Sequence, residues 1–483
     1  MTTILVWAGY ALALILVARL SRGRDVLLPG KVSILIQALA YVATYVSAVA
    51  LVGFAGLCYQ WGLQVVMVAA GSMWLGTWFV YRFLAWPTRL WQRKLHAKTP
   101  ARMLSAATGS SGLKVYLGLL SSILLVVYAS AVFKGAAIML AGALPISQNA
   151  ALWALVGLVA LSVSWGGLRG VLYTEALQGG IMVIGVLALL IATLRAIGGP
   201  IEGIGALAAL APTPQADNGF VALSSGKGGL FVLSLVMVTS VGVWAQPQLV
   251  QRHFALKSSR EARRIAPFAM LAIAVVLGGA FFSGAFSRLI LGPEAGAVDG
   301  IIPLLVKRLL PEAGGQLFTL AIVSASLSTA SALMHIVAAG FGHDVLNREL
   351  KGREWQILVA LCAAASGVFA TRNLQILAII CTTSWTIIAA AILAPYLALL
   401  AIGDRISKAA VWTSSLGGLA TAMIWYAAAY APTSKGIFHI AAPGILGSLH
   451  PFFVSIPVSL LIMAILTAPE WMGERVKALV VKN

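Results

Sequence analysis

Four polar side chains follow one face of a predicted helix. Ser324, Ser328, Ser331 and His335 are spaced at i, i+4, i+7 and i+11 within the run 321–344, which places them along one helical face. Hydroxyls at this density either join neighbouring helices and bond back to their own carbonyls, or supply oxygens to a hard cation. His335 is either a hydrogen-bonded bundle residue or a proton relay. The spacing alone leaves both alternatives open.

Two ionisable side chains also interrupt apolar segments. Glu175 lies in GGLRGVLYTEALQGG (166–180), where a carboxylate must be paired, hydrated or used to hold an ion. It either pairs with nearby Arg169 or contributes to a cation path. Lys134 lies about 20 residues, or about 30 Å of helix, beyond Lys114. It reaches the outer surface or forms a structural pair, or it faces a water-filled path and attracts an anionic solute.

Helix breaks matter because a backbone carbonyl is free to bind an ion only where the helix is interrupted. The first candidate break lies in the segment 36–56, which has a stretch of small residues from Ala43 to Ala50 followed by Gly53 and Gly56. We expect this segment to present carbonyl oxygens inside the bundle.

The second candidate break lies in TSVGVWAQPQ (239–248), where Gly242 and Pro247 interrupt an apolar helix. Paired breaks in two halves of a membrane protein indicate the binding site of a transporter. Because an odd number of predicted spans separates their starts, we expect the two halves to be inverted. We predict that solute contacts four residues, which are Ser47, Lys134, Trp244 and Gln246. Trp244 could equally be ordinary packing.

The rest of the chain supplies the elements that position these residues. Of its 483 residues 60% are hydrophobic and 10% are charged, and the mean hydropathy is +0.95, whereas a soluble domain carries about 25% charged residues. Apolar runs of about 20 residues, enough to cross about 30 Å of hydrocarbon, recur from end to end. The alternating segments of about 10 residues that are typical of membrane barrels are not visible. We predict an all-α polytopic membrane protein.

About thirteen transmembrane helices are predicted. They cover approximately 3–19, 32–58, 63–85, 114–143, 150–168, 171–197, 228–247, 266–291, 314–340, 356–371, 374–402, 409–430 and 451–468. With the N-terminus outside and the C-terminus cytoplasmic, 25 of the 33 Lys and Arg residues lie on the cytoplasmic side, 7 lie outside and one lies within a span. The opposite orientation would reverse that ratio, so the positive-inside rule favours this one.

The N-terminal segment and the two longest outer loops carry further expectations. The first 20 residues lack the basic region and cleavage site of a removable signal peptide, and we expect a retained helix. The outer loops 198–227 and 431–450 either carry short helices over an entrance or are plain connectors.

Several function classes are disfavoured. The net charge of +19 resides in short loops with no nucleic-acid motif, and membrane orientation explains it. Cys58, Cys362 and Cys381 have no metal-ligand spacing and are expected to be small buried hydrophobes. No nucleophile–base pair, metal cluster or phosphate loop is evident, so we expect neither an enzyme nor an organic cofactor.

Three motifs lie in spans two to nine, which are SLSTAS (326–331) followed by Asp344, GGLRGVLYTEALQ (166–178) and WAQPQLVQRHFALKS (244–258). They resemble motifs of the sodium:solute symporter family, and the spacing from Ser328 to Asp344 matches the family pattern without a gap. The resemblance implies a leucine-transporter-type core of two inverted five-helix repeats. We expect one transmembrane domain, 1–483, with its core at about 32–402 and peripheral helices at 1–31 and 403–483.

The resemblance also implies a sodium site between the second and ninth spans. Its ligands would be the carbonyl oxygens of Ala43, Val46 and Ala325 and the hydroxyls of Ser328 and Thr329. The family's signature Asp is Glu175 in this chain, a longer carboxylate that could form a second cation site or path with Ser331.

The positions at which relatives carry polar residues for their substrates depart from the family pattern. Tyr45 stands where proline-transporting relatives carry an Asp, and Val49 and Ala50 stand where sugar carriers have amide and carboxylate residues, so sugar is disfavoured. The AQP-type seventh span and DGIIPLLVKRLLP (299–311) are most similar to the proline, pantothenate and monocarboxylate carriers. Together with Lys134, this favours an organic acid or amino acid.

The expected function is sodium-coupled import of a small organic solute by alternating access, in a bacterial inner membrane. The partners are then the solute, sodium and the lipid bilayer, and we expect a monomer or weak oligomer. Two alternatives are a proton-coupled carrier of the same fold, using Glu175 or His335, and a membrane solute sensor. The short tail ERVKALVVKN argues against an output module and hence against the sensor.

Overall fold

The computed structural model describes residues 2–224, 226, 228–372, 377–440 and 442–480, and the ordered elements among them are all helical. The first half comprises α1 (Thr2–Leu20), α2 (Ile34–Tyr45), α3 (Ala55–Trp61), α4 (Val66–Met73), α5 (Ala85–Lys94), α6 (Pro100–Thr108), α7 (Ser111–Ala143), α8 (Gln148–Ala196), α9 (Pro200–Ala208) and α10 (Gly229–Ser240). The second half comprises α11 (Pro247–Val250), α12 (Ser259–Ile273), α13 (Gly279–Leu291), α14 (Val298–Leu309), α15 (Glu312–Ala339), α16 (Gly352–Thr371), α17 (Leu377–Ile402), α18 (Lys408–Ile424), α19 (Ala431–Phe438), α20 (Gly444–Ser448) and α21 (Phe452–Val480).

Short π-helical turns join several of these helices into longer rods. They lie at Val49–Phe54 before α3, Trp74–Leu84 between α4 and α5, Ala274–Gly278 between α12 and α13, Gly340–Val345 after α15 and Trp425–Ala429 after α18. The predicted span 374–402 begins outside the described residues, and α17 is its described part. Short helices α9, α19 and α20 lie in the two long loops, which are therefore not plain connectors.

Eight helical rods among the described residues are long and apolar enough to cross a membrane, or nine when the bent pair Gly229–Ala245 and Pro247–Ala255 counts as one span. Two shorter apolar helices, Ile34–Tyr45 and Phe452–Thr467, accompany them. The rod Gln148–Ala196 contains both the fifth and the sixth predicted spans. The polytopic helical architecture is thus confirmed, and the count of thirteen stays a prediction.

The boundary between the fifth and sixth predicted spans is a kink within α8. Gly167 has φ +57° and ψ −164°, a conformation that a residue with a side chain adopts at a cost. A Cβ at this position would lie 3.0 Å from Val26 Cα, and the N–H of Leu168 donates to Val26 O at 2.9 Å. The loop between α1 and α2 therefore wedges into the kink.

The break in the second span falls within the small-residue stretch and not at the glycines that follow it. Helix α2 ends at Tyr45, and Val46 is extended with φ −101° and ψ 118°. Gly56 instead permits close packing, since a Cβ there would lie 2.1 Å from Val298 O. Gly56 thus lets α3 pack closely against the start of α14, after α2 has already ended.

The break in the seventh span is confirmed at the predicted place. Helix α10 passes through a 3₁₀ turn, Gly242–Ala245, and Gln246 is extended before Pro247 begins α11. Proline is favoured at the first helical position because its missing N–H would have no partner there. The axes on the two sides of the break differ by 55°.

Helix α15 lies at the centre of the bundle, and every residue from 321 to 340 is buried. It packs against α8, α7 and α2. Two glycines of α8 allow these close approaches. A Cβ at Gly179 would lie 2.7 Å from Leu39 O of α2, and one at Gly185 would lie 2.5 Å from Ala321 Cβ of α15. Small residues at such contacts are how membrane helices gain packing energy.

We expect Gly179→Ala to lower the thermal stability of the purified protein, because the new methyl group must push α2 away from α8. Overpacking of this kind costs about 1–3 kcal/mol. Gly180→Ala is the matched control, since no atom lies within 4 Å of a Cβ there. Thermal unfolding in detergent measures both variants. Equal melting temperatures for the two would contradict the proposed close contact.

Candidate functional site

Hydrogen bonds join α15 to the last turn of α2. The Ser328 hydroxyl lies 2.7 Å from Ala43 O and 3.0 Å from Ala325 O, to which it can donate. The Thr329 hydroxyl donates to Ala325 O at 3.0 Å. These contacts link four of the five predicted sodium ligands into one chain of neighbours across two helices, which are Ala43, Ser328, Ala325 and Thr329.

The fifth predicted ligand, Val46, lies at the break in α2. Its N–H still bonds to Val42 O, but the N–H groups of Ala50 and Leu51 donate to Ser47 O. The helical bonding pattern therefore stops at Val46 and restarts from Ser47. An extended residue at this position turns its carbonyl out of the helical ladder.

This set of oxygens fits the chemistry of a hard cation. Carbonyl and hydroxyl oxygens are the ligands that such ions prefer, and all five predicted residues are buried. An ion among them would require the Ser328 and Thr329 hydroxyls to rotate, so that lone pairs replace the O–H groups that now point to carbonyls. A hydroxyl can make this exchange because it is both donor and acceptor.

A cavity with an empty volume of about 460 Å³ adjoins the break. Its lining is Tyr45, Ser47, Val49, Ala50, Phe54, Val68, Ser72, Tyr128, Thr239, Leu277, Phe281, Cys381, Thr382 and Trp385. Among the described residues, no charged side chain lines this cavity. Hydroxyl-bearing and aromatic side chains over an apolar wall are typical of small-molecule sites.

The cavity draws on both broken helices. Ser47 lies at the break in α2, and Thr239 lies in the last turn of α10, near the break in the seventh span. The Tyr45 hydroxyl donates to Thr239 O and so ties the two segments together. Composition could not have indicated Tyr128 or Trp385, because an aromatic residue in an apolar helix looks the same whether it faces a cavity, a neighbour or lipid.

Of the four predicted solute contacts, only Ser47 lines the cavity. Gln246 lies one layer behind it, where its amide donates to the carbonyl of Trp385 at 3.0 Å. Trp244 stacks on Phe79 with ring centroids 4.6 Å apart. In this structure Trp244 therefore packs on a neighbouring ring and Gln246 bonds to a lining residue, and solute contact by these two residues stays a prediction.

Lys134 is half-buried away from this cavity, and its ammonium group donates to Arg372 O at 2.8 Å. Arg372 caps the C-terminus of α16, where the helix dipole favours a positive charge. The structure thus places Lys134 in a structural pair, one of the two alternatives open for it.

Glu175 is fully buried in the second half of α8. Its Oε1 accepts a hydrogen bond from Arg252 at 2.5 Å, so of the two alternatives open for Glu175 the structure does not show the pairing with Arg169. Arg169 instead lies over the ring of Tyr173, with 5.6 Å from Cζ to the ring centroid. Seventy-seven residues separate Glu175 from Arg252, and chain proximity could not have indicated the pair.

The polar face of α15 meets three different partners. Ser324 shares a 2.8 Å hydrogen bond with Tyr10 of α1, and Ser328 bonds to α2. At His335, the two ring nitrogens lie 3.2 Å from Gln251 Oε1 and 2.7 Å from Val26 O. Its geometry is that of the hydrogen-bonded bundle residue, the first alternative for it. Ser331 is buried on the same helix.

Asp344 is a second buried carboxylate, at the end of the α15 rod. Thr99 donates to its Oδ1 at 2.7 Å, and Oδ2 has no partner among the described residues. This contact ties the segment before α6 to α15. The family motif pointed to Asp344 but gave no indication of Thr99 as its partner.

The chain is similar to known membrane transporters. The sodium/pantothenate symporter of Haemophilus influenzae is 27% identical over 350 residues, covering 70% of each chain. The high-affinity proline transporter PutP of Bacillus subtilis is 24% identical over 444 residues, covering 87% of this chain and 89% of the relative. A substrate-bound, outward-open sodium-coupled sialic acid symporter superposes with a TM-score of 0.75 at 16% identity, covering 97% of this chain and 98% of the other.

The structural likeness establishes a shared fold, and it confirms the leucine-transporter-type fold class that the sequence motifs imply. These relatives are multi-pass membrane transporters and not enzymes. The model of the sodium:solute symporter family matches residues 28–417, which include both broken helices, α8 and α15. The chain therefore belongs to the sodium:solute symporter family.

Proposed function

We propose that this protein imports a small organic acid or amino acid together with sodium, by alternating access in a bacterial inner membrane. The observation that carries the proposal is the break in α2. Val46, a predicted sodium ligand, and Ser47, which lines the central cavity, are consecutive residues at that break. A single rearrangement of the break therefore acts on ion and solute together.

Coupling through the break has a simple physical basis. Sodium held by α2 and α15 replaces hydrogen bonds of Ser328 with ion contacts to both helices. That change fixes the direction of Val46 and with it the position of Ser47. Solute binding is then favourable mainly in the sodium-loaded state, which is the reciprocity required of two linked ligands.

The driving force is sufficient for concentrative uptake. One positive charge moving inward at −100 mV contributes about 2.3 kcal/mol, and a tenfold sodium gradient adds about 1.4 kcal/mol. Together they support accumulation of roughly several hundred-fold at one sodium per solute.

The cavity chemistry supports a solute that carries its own polar group into an uncharged site. Hydroxyls of Ser47 and Ser72 can bond a carboxylate or amide, while Phe54 and Phe281 contact an apolar portion. The Thr239 hydroxyl donates to Leu235 O and can accept from an amide. With no cationic side chain in the described lining, the counter-charge for a carboxylate would come from sodium at the adjacent break. Lys134 would not supply it.

We further propose thirteen transmembrane helices, organised as two inverted five-helix repeats with three peripheral helices. The N-terminus would be outside and the C-terminus cytoplasmic. The break in α2 and the break after α10 support the repeat, since both open onto one cavity. The kink at Gly167 supports two spans within α8. The charge asymmetry of the loops supports the orientation.

The predicted second cation site at Glu175 and Ser331 is proposed in a modified form. Arg252 already supplies a positive charge to Glu175 Oε1, while Oε2 has no partner among the described residues. A cation there would have to compete with a tethered guanidinium. We therefore propose that the Glu175–Arg252 pair mainly holds the segment after α11 against α8. Without a second cation site, one sodium would be transported per solute.

We expect Ser328→Ala combined with Thr329→Ala to raise the half-saturating sodium concentration for uptake by roughly tenfold or more. Each lost oxygen contact to a charged group is worth about 1.5–3 kcal/mol. Ser326→Ala is the matched control, because Ser326 lies on the same helix and its hydroxyl has no partner among the described residues. Uptake into vesicles is measured against sodium at constant membrane potential.

An unchanged sodium dependence in the double variant, with normal uptake, would contradict the proposed ion site. Collapse of the pH gradient during the same assay tests the proton-coupled alternative. Uptake that requires sodium and continues without the pH gradient agrees with the proposal, and uptake that stops would support proton coupling.

We expect Glu175→Gln and Arg252→Gln each to destabilise the protein by about 3–5 kcal/mol, because each leaves a buried charge without its partner. The double variant should recover much of this loss, since two neutral amides at these positions carry no uncompensated charge. A double-mutant cycle on the free energy of unfolding in detergent measures the coupling. Additive losses would show that the pair does not hold the two segments together.

A further inference from the structure

A second cavity, with an empty volume of about 750 Å³, lies where the loop after α1 meets the loop between α15 and α16. Five cationic side chains line it, which are Arg22, Arg24, Lys98, Arg348 and Lys351. Two carboxylates, those of Asp25 and Glu349, also line it. The loops belong to the side predicted to be cytoplasmic. The cavity therefore has an excess of positive charge at the edge of the bundle.

The ion pairs around the cavity leave that excess at one end. Lys98 bridges Asp25 at 3.1 Å and Glu349 at 2.8 Å, and Arg348 pairs with Glu354 at 2.8 Å. Among the described residues, neither Arg22 nor Arg24 forms an ion pair, and both side chains are exposed. Their guanidinium groups are thus available to an anion.

Two buried side chains add hydrogen-bond donors to the same lining. Trp355 is 2% exposed, and its indole N–H has no partner among the described residues. Arg102 lies 3.1 Å from Nε2 of His343. Because a guanidinium can only donate, Nε2 is the acceptor, and the neutral ring carries its proton on Nδ1. That Nδ1 is also buried without a partner.

A buried donor without an acceptor is destabilising, because it has lost its hydrogen bond to water. Two such donors beside two free guanidinium groups therefore favour a ligand that has several acceptor oxygens and negative charge. A phosphate group meets both conditions, since arginine binds it through paired N–H groups. Basic pockets between transmembrane helices on the cytoplasmic side are also where anionic headgroups bind.

We propose that this cavity binds a phosphate group. Arg22 and Arg24 would contact it from the loop after α1, and Trp355 and His343 would donate from the ends of α16 and the α15 rod. The group could be carried by an anionic lipid of the cytoplasmic leaflet or by a soluble phosphate compound. Binding would fasten the two loops to each other.

The test uses the full chain purified in detergent, with phosphatidylglycerol binding measured by native mass spectrometry and phosphatidylcholine as the uncharged comparison lipid. We expect phosphatidylglycerol to be retained selectively. Arg22→Gln combined with Arg24→Gln should weaken its binding roughly tenfold or more. Trp355→Phe, which keeps an aromatic side chain but removes the five-membered ring with its N–H, should weaken it in the same direction.

Arg263→Gln combined with Arg264→Gln is the matched control, because it removes the same charge from two exposed arginines of α12 that do not line the cavity. This control should bind phosphatidylglycerol as the wild type does. An equal loss in the control would overturn the proposal, as would wild-type binding by Trp355→Phe.

Pyrophosphate distinguishes the two sources of the phosphate group. Retention of phosphatidylglycerol that millimolar pyrophosphate does not displace identifies a lipid site. Binding of pyrophosphate alone, lost in the Arg22 and Arg24 double variant and kept in the control, identifies a soluble ligand at the same cavity. If neither compound binds in a way that depends on these arginines, the proposal is wrong.

Discussion

The structure depends on one constraint, which is that a backbone carbonyl in hydrocarbon must bond to something. A continuous helix satisfies this requirement internally, so a break at membrane depth is tolerated only where protein or a cavity supplies replacement partners. Here the Ser328 hydroxyl lies within bonding distance of Ala43 O in the last turn before the break. The hydroxyl that bonds to this carbonyl is also one of the proposed sodium ligands, so in the proposed site one group would serve both the break and the ion.

The glycines of α8 follow from the same constraint. The backbone hydrogen bonds of a broken helix do not continue across the break. Neighbouring helices must therefore hold its remaining turns in place. Gly179 brings α8 against the backbone of α2, and Gly185 brings it against α15. The buried pair of Glu175 and Arg252 joins the same helix to the segment that follows the second break. α8 is therefore the common support on which both breaks and the hydroxyl-rich helix are placed.

The architecture was largely predictable from the sequence because few backbone structures are stable in hydrocarbon. Long apolar runs become helices, and Pro247 marks one break directly. The hydroxyl face of α15 also follows from spacing. What could not be predicted depends on contacts between distant segments. Glu175 faces Arg252 and not the near Arg169, Lys134 caps α16 instead of facing the cavity, and Tyr128 lines the cavity although its neighbours look alike. Periodicity reports which face is buried, but not which partner that face meets.

The carbonyl of Val26 has a mechanical consequence for how the bundle can move. It lies within bonding distance of both the Leu168 N–H and His335 Nε2, while Tyr10 at another level of the bundle contacts Ser324 and Gln178. α1 and the loop that follows it thus connect α8 to α15 at two levels of the bundle. These contacts restrain α8 and α15 from shifting relative to each other. The two broken segments have no continuous helical hydrogen bonding of their own to restrain them.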